Sequence, residues 1–207
     1  MFSIRKPKPE TIRRFFSAQA DLDFTYAAVG ATAGKPPDGY VVSHTRIKLG
    51  EGEAVYNAAK AAFGRWEQFR LGWVEAWSPQ TWPQAGAVVA VVIRTFGLWS
   101  LNACRIVYVV NETGPINRFG FAYGTLPAHL ESGEERFLIE WDRSNDTVWY
   151  DILSFSRPRH FLARLGYPIS RHFQKKFARD SGDAMLRAAN SPQRFAGSRS
   201  MTNELSD

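Results

Sequence analysis

Glu135-Arg136-Phe137-Leu138-Ile139-Glu140-Trp141, then Asp142-Arg143-Ser144-Asn145-Asp146, then Thr147-Val148-Trp149-Tyr150-Asp151-Ile152-Leu153-Ser154-Phe155 is the stretch on which the fold turns. Two runs rich in aromatic and β-branched residues flank five residues that favour a turn. A spacer this short joins neighbouring strands only as an antiparallel hairpin. The same grammar repeats upstream in Ala87–Thr95, Leu98–Val110 and Arg118–Thr125, with Asn111-Glu112-Thr113-Gly114-Pro115 as a second strong turn. Gly72–Trp77 reads as a shorter strand, ended by Ser78-Pro79. The pattern predicts an antiparallel meander.

Ahead of the meander, Tyr40–Leu49 alternates: Val41, Ser43, Thr45, Ile47 and Leu49 share one face, His44, Arg46 and Lys48 the other. That is a half-buried strand. Gly50-Glu51-Gly52 breaks it, and Glu53–Trp66 follows as a helix, with Val55, Ala58 or Ala59, Ala62, Phe63 and Trp66 along one face. A short helix at residues 9–20, with Pro9 in its first turn, and a Gly/Pro-rich loop at 21–38 come earlier. After the meander, Arg159–Leu165 reads as helical, Gly166 interrupts, and Pro168 opens a long helix. Ile169, Phe173, Phe177, Ala184, Met185 and Ala188 form its apolar stripe, and Ser191-Pro192 stops it.

These elements define an α+β domain: a curved antiparallel sheet of about six or seven strands wrapped around a long C-terminal helix. A long meander twists and curls, and its inner face needs a cover, which the amphipathic C-terminal helix supplies. An interior of that shape, incompletely filled by side chains, is a route to a ligand cavity. The expected division is an appended helix and loop at 1–39, the domain proper at 40–190, and a disordered tail at 191–207.

Composition fits this reading. Of the 207 residues, 44% are hydrophobic and 14% aromatic, and the 15 Phe, 7 Trp and 7 Tyr suit a thick core or a ring-lined cavity. A chain of this length buries about 70% of its extended surface on folding, enough for a self-sufficient core. Cys104 is the single cysteine, so no intrachain disulfide forms, and its apolar neighbours place it in the core. Met1–Lys8 lacks the apolar stretch of a signal peptide, and the longest apolar run, Ala87–Ile93, falls well short of the ~20 residues of a membrane span. The expectation is a cytoplasmic protein that is not transmembrane.

Phe119-Gly120-Phe121-Ala122-Tyr123-Gly124-Thr125-Leu126-Pro127-Ala128-His129, together with Gly133–Phe137, Leu49–Gly52, Cys104–Val107 and Ser156-Arg157-Pro158, resembles one family closely. It is the uncharacterised domain of unknown function nineteen-ninety, and the resemblance runs from about Tyr40 to Asn190. One departure is visible: Ala128-His129-Leu130 stands where the family pattern has Gly-His-Pro. The resemblance implies a START-like, birch-pollen-allergen-like helix-grip fold (the SRPBCC group) and a pocket. It implies no activity, because helix-grip relatives include lipid and hormone carriers, polyketide cyclases and co-chaperones.

The sharpest chemical cluster is Tyr123, His129, Glu131, Glu134 and Glu135. Tyr123, His129 and Glu134 are the candidate acid–base set; Trp73, Tyr123, Arg157, Phe173 and Phe177 are the candidate ligand-binding set. Arg157 suits an oxyanion or carboxylate, or an ion pair with Glu134 or Glu135. The competing reading is structural: Gly120, Gly124 and Gly133 permit a bulge or bend, and the polar groups satisfy one another. His44, His129, His160 and His172 have no metal-ligand spacing, and no nucleotide loop is present, so no metal and no cofactor is expected.

Three functions therefore remain. A small-molecule-binding module with a hydrophobic ligand leads, and an enzyme of the cyclase or hydratase type comes next. The third is a binder of anionic surfaces, membrane or nucleic acid, through Arg164, Arg171, Lys175 and Arg179. The formal charge of +6 supports the last, as does residues 157–179 holding no acid before Asp180.

Overall fold

Alternation sets the sheet. In Val41–Glu51, the strand that becomes β2, Ser43 and Thr45 face inward while His44 reaches an acid on the outer face. The structure, a computed structural model, describes residues 2–78, 82–159 and 167–191, with the backbone alone at 167–170. A two-residue β1 (Phe2–Ser3) and helix α1 (Pro9–Gln19) precede β2. After it come α2 (Gly52–Gly64), a 3-10 turn at Glu67–Phe69, β3 (Val74–Trp77), β4 (Val88–Thr95) and β5 (Leu98–Glu112). Then follow β6 (Ile116–Thr125), β7 (Glu131–Asp142), β8 (Thr147–Pro158) and α3 (Tyr167–Asn190).

Every pairing is antiparallel, in the order β2-β8-β7-β6-β5-β4-β3. The meander β3–β8 is consecutive in the chain, and β2 joins it beside the last strand. Helix α2 therefore carries the chain from one edge of the sheet to the other across the inner face. Strand β1, absent from the sequence expectation, pairs with Trp99 and Ser100, along the part of β5 that β6 does not reach. The β4–β5 connection is a two-residue turn in which Phe96 and Gly97 both have positive φ (51° and 81°), the backbone that a tight right-twisted hairpin requires.

The inner face divides in two. At one end α2 and the C-terminal half of α3 fill it: Phe63, Phe121, Phe137, Tyr150 and Met185 are fully buried together. Each large side chain so buried contributes about 2–3 kcal/mol of transfer free energy. Tyr150 Oη lies 2.8 Å from Ser181 Oγ, and Asn190 Nδ2 donates to the Leu49 carbonyl at 2.8 Å, pinning α3 across β8 and β2. At the other end the N-terminal half of α3 stands off the sheet, and Phe173 and Phe177 are only half-buried. That end of the helix covers a void rather than a packed layer.

The outer face is not bare. Ile12 of α1 is buried on Ala90, Val92 and Leu101, and residues 24–32 run on across β6 and β7. Helix α1 and residues 24–32, within the segment expected as an appended helix and loop, thus cover the outer face of the sheet. In the sequence reading Gly120, Gly124 and Gly133 permit a bulge or bend; the register shift between β5 and β6 falls on β5, between Ile106 and Tyr108. Gly124 serves a close approach: a Cβ there would fall on the Tyr26 hydroxyl. The helix expected over 159–165 and the disordered tail lie outside the described residues from 160 to 166 and from 192 onward.

Candidate functional site: a cavity under the C-terminal helix

The uncovered end of the inner face is a cavity of about 710 Å³. Phe69, Trp73, Phe173 and Phe177 wall it from the helical side; Val91, Ile93 and Ile152 wall it from the sheet. Phe2, Phe96, Leu98 and Leu130 line it too and are themselves exposed, so its mouth has an apolar lip. Its volume falls within the range of small-molecule sites, about 300–1,000 Å³.

One polar row crosses this wall. Ser43 pairs with Ser154, Ser154 with Glu135, and Glu135 with Tyr123, so four neighbouring strands place their side chains in register. All four residues line the cavity. Tyr123 Oη donates to Glu135 Oε2 at 2.7 Å. Burial pushes the Glu135 carboxyl up to about 7, the Tyr123 hydrogen bond opposing the shift and the Glu131 charge adding to it. Burial likewise lifts the Tyr123 phenol well above its ordinary value, with the neighbouring Glu135 charge as the next cause. Around neutrality the pair shares a carboxyl that is poised between its charged and neutral forms.

Glu134 goes the other way. Being next in the chain, it points to the outer face, where Tyr26 Oη and the Gly30 amide each donate to Oε2 at 2.7 Å. The Thr32 amide donates to Oε1 at 3.0 Å, and the Thr32 hydroxyl also reaches that oxygen. Burial, then the Glu134 hydrogen bond, pushes the Tyr26 phenol far up. Beside it Arg136 donates to the Thr32 carbonyl at 2.8 Å and to Asp151 at 3.0 Å, and His44 Nε2 is 2.6 Å from Asp151. Glu134, expected in the acid–base set, is the anchor of the N-terminal segment.

The other expected residues divide between cavity and surface. His129 lines the cavity, but its Nδ1 accepts the Glu131 amide at 3.0 Å, which tightens the loop; burial pulls its pKa down. Trp73 lines it with its indole N–H held by Asp180 at 2.9 Å and Lys176 over its ring. Gln174 closes one corner, donating to Glu131 at 2.7 Å and to Ser156 at 3.1 Å. Arg157 is exposed and stacks on Tyr40 at 4.6 Å, with no carboxylate paired to it among the described residues. The expected pairing with Glu134 or Glu135 is corrected: Arg157 lies opposite Ser132 at the outer edge, two positions beyond Phe155.

The expected basic face is also corrected in part. Lys175 is exposed, Arg171 donates to Gln174 at 2.9 Å, and Arg179 lies 3.2 Å from Asp180, which holds Lys176 as well. Asp180 thus neutralises the patch from within, and Arg164 lies outside the described residues. Among those residues no group of three or more His, Cys, Asp or Glu is placed to hold a metal ion. No helix among them is long and apolar enough to cross a membrane.

The sequence motif and this arrangement have a counterpart among known families. The family model "Domain of unknown function (DUF1990)" matches residues 25–184. The chain belongs to the DUF1990 family. A relative in Dictyostelium discoideum, described as a UPF0548 protein, is 37% identical over 212 residues, covering 93% of this chain and 98% of that one. A second UPF0548 protein, from Deinococcus radiodurans, is 36% identical over 203 residues and covers 91% and 99%. Among solved structures, hypothetical protein jhp0584 from Helicobacter pylori superposes with a TM-score of 0.50 at 13% identity, over 81% of this chain and 99% of that one. The architecture, a curved antiparallel sheet with the long C-terminal helix across its inner face, is the one that the element order predicts.

Sequence reasoning missed Ser43 and Ser154 and preferred Glu134 to Glu135. The signal for Glu135 was present: it has the parity of Phe137, Ile139 and Trp141, the core side of β7.

Proposed function

We propose that the protein is a cytoplasmic small-molecule-binding module that holds an apolar or amphipathic ligand between the sheet and the N-terminal half of α3. The observation that carries this reading is the cavity itself, of about 710 Å³, with walls that are mainly aromatic and aliphatic and a polar row across its sheet side. An apolar space of that size in a domain whose other half is close-packed costs stability unless a ligand fills it. The half-buried Phe173 and Phe177 form its cover, and the short N-terminal strand brings Phe2 to its lip.

The test is native mass spectrometry of protein purified from its own host, followed by titration of the stripped protein with an environment-sensitive apolar dye. One dye per protein is expected, and Ala178→Trp, which fills the cavity from α3, should abolish binding while the folded-state circular dichroism persists. Stoichiometric binding that survives Ala178→Trp would place the ligand elsewhere and end this reading.

A second reading, an acid–base enzyme of cyclase or hydratase type, is favoured by the Tyr123–Glu135 pair, whose carboxyl sits near the operating pH on the cavity wall. It requires that the co-purifying ligand be returned chemically changed by the wild type and unchanged by Glu135→Gln.

A further inference from the structure

Among the described residues the acids that line the cavity are Glu131, Glu134 and Glu135, joined by hydroxyls, amides and the His129 ring, and no lysine or arginine lines it. Glu134 is spent on Tyr26, Gly30 and Thr32, and His129 on the Glu131 amide, which leaves Glu135 as the carboxylate with a free oxygen. A ligand with a carboxylate or phosphate head would bring a second anion to Glu135 with no lysine or arginine among the described lining residues to balance it, and unpaired charge held away from bulk water is costly. A purely apolar ligand would leave the carboxyl facing hydrocarbon.

We infer that the ligand's polar end is a protonated amine, seated on Glu135 in the Ser43–Ser154–Glu135–Tyr123 row, with its apolar body against Trp73, Phe173 and Phe177. The geometry supplies what an ammonium needs. Tyr123 occupies Glu135 Oε2 at 2.7 Å, and Oε1 has no hydrogen bond among the described residues. Ser154, directly across from Glu135, and Ser43, across from Ser154, offer hydroxyl oxygens to the remaining N–H groups. An ammonium carries three donors and no acceptor, so a carboxylate flanked by hydroxyls satisfies it. Charge-assisted hydrogen bonds of this kind are roughly twice as strong as neutral ones.

The inference rests on the cavity-binding reading and narrows it to a ligand class. It also sets a pH dependence, since the amine needs Glu135 ionised. The groups that act on Glu135 are Tyr123 from β6 and Glu131 on its own strand, and its charge in turn raises Cys104 on β5 and Tyr150 on β8. His129 lies on the same wall, and on α3 the nearest ion pair, Lys176–Asp180, is held beside Trp73.

Isothermal titration of the full chain with decylamine, decanol and decanoate, three heads on one body, tests the inference. Decylamine should bind at least about tenfold more tightly than decanol, and decanoate most weakly. The decylamine advantage should grow between about pH 5.5 and about pH 8, as Glu135 gives up its proton. Glu135→Gln should bring decylamine to the level that decanol shows in the same variant and erase the pH dependence. Decanol binding as well as decylamine, decanoate binding best, or a preference that survives Glu135→Gln would each overturn the amine assignment and leave the cavity reading standing. Failure of all three to bind would overturn both.

Discussion

Glu134 and Glu135 are neighbours in the chain and lie on opposite sides of the sheet, one holding the N-terminal segment and the other facing the cavity. The pleat alone separates them, and it gives two carboxylates of identical chemistry separate tasks. Replacing Glu134 by Ala leaves the Tyr26 hydroxyl and the Gly30 and Thr32 amides without an acceptor. The expected cost is about 3–5 kcal/mol, since each buried donor left unpaired costs about 1–3 kcal/mol. Urea unfolding measures it, and limited proteolysis should show cleavage within residues 20–38 in this variant alone.

Glu135 predicts a pH profile of stability. Its folded pKa, about 7, is raised above the 4.5 of a free carboxyl, so the folded state holds the proton more tightly than the unfolded one. The stabilisation is complete below about pH 4.5 and is lost as pH rises through about 7. Glu135→Gln, which never ionises, should flatten this limb, gaining about 1–2 kcal/mol on the wild type at pH 8, with water in the open cavity screening the rest. Chemical unfolding of both proteins across that range is the measurement, and parallel profiles would refute it.

Tyr123→Phe removes the one hydrogen bond that lowers the Glu135 pKa while leaving the ring. The carboxyl should then titrate above its present value of about 7, by roughly half a unit to one unit, of the order of one neutral hydrogen bond. Infrared titration of the carboxyl stretch reads this directly. An unmoved or lowered midpoint would show that the bond is not made in solution.

Phe173→Ala should cost about 1–2 kcal/mol rather than the 3–5 kcal/mol of a fully buried ring, because Phe173 already faces the cavity, the half-buried Trp73 ring and the exposed Phe96 ring. Its larger effect should be kinetic: a wider mouth and faster dye release, read by stopped-flow displacement. A release rate equal to the wild type would show that α3 does not gate the cavity at that turn.

Gly124→Val tests the outer cover. A Cβ at this position would displace the Tyr26 hydroxyl from Glu134. The variant should lose about 2–4 kcal/mol through an overpacked contact and one broken buried hydrogen bond. It should do so without changing dye binding on the inner face.

Period alone made the strands, both long helices and their order legible, because strand and helix repeats differ along the chain whatever the partner. It also made the two faces of β2 legible, and the C-terminal helix as a cover, since an apolar stripe must be buried somewhere. The cavity-lining Trp73, Tyr123, Phe173 and Phe177 were named from pattern. The inward parity of Glu135 was legible as well, but tertiary structure alone decided what claims Glu134: Tyr26, Gly30 and Thr32, about a hundred residues away in sequence. It also decided the Ser43–Ser154–Glu135–Tyr123 row, which exists only through the pairing of the early β2 with the last strand. Arg157 was misassigned for the same reason: its charge is written in the sequence, but its partner, the Tyr40 ring, is set by which strand lies beside which. A local repeat fixes the direction of a side chain; what stands opposite it is fixed by contacts distant in the chain, and the cavity's chemistry is made of those.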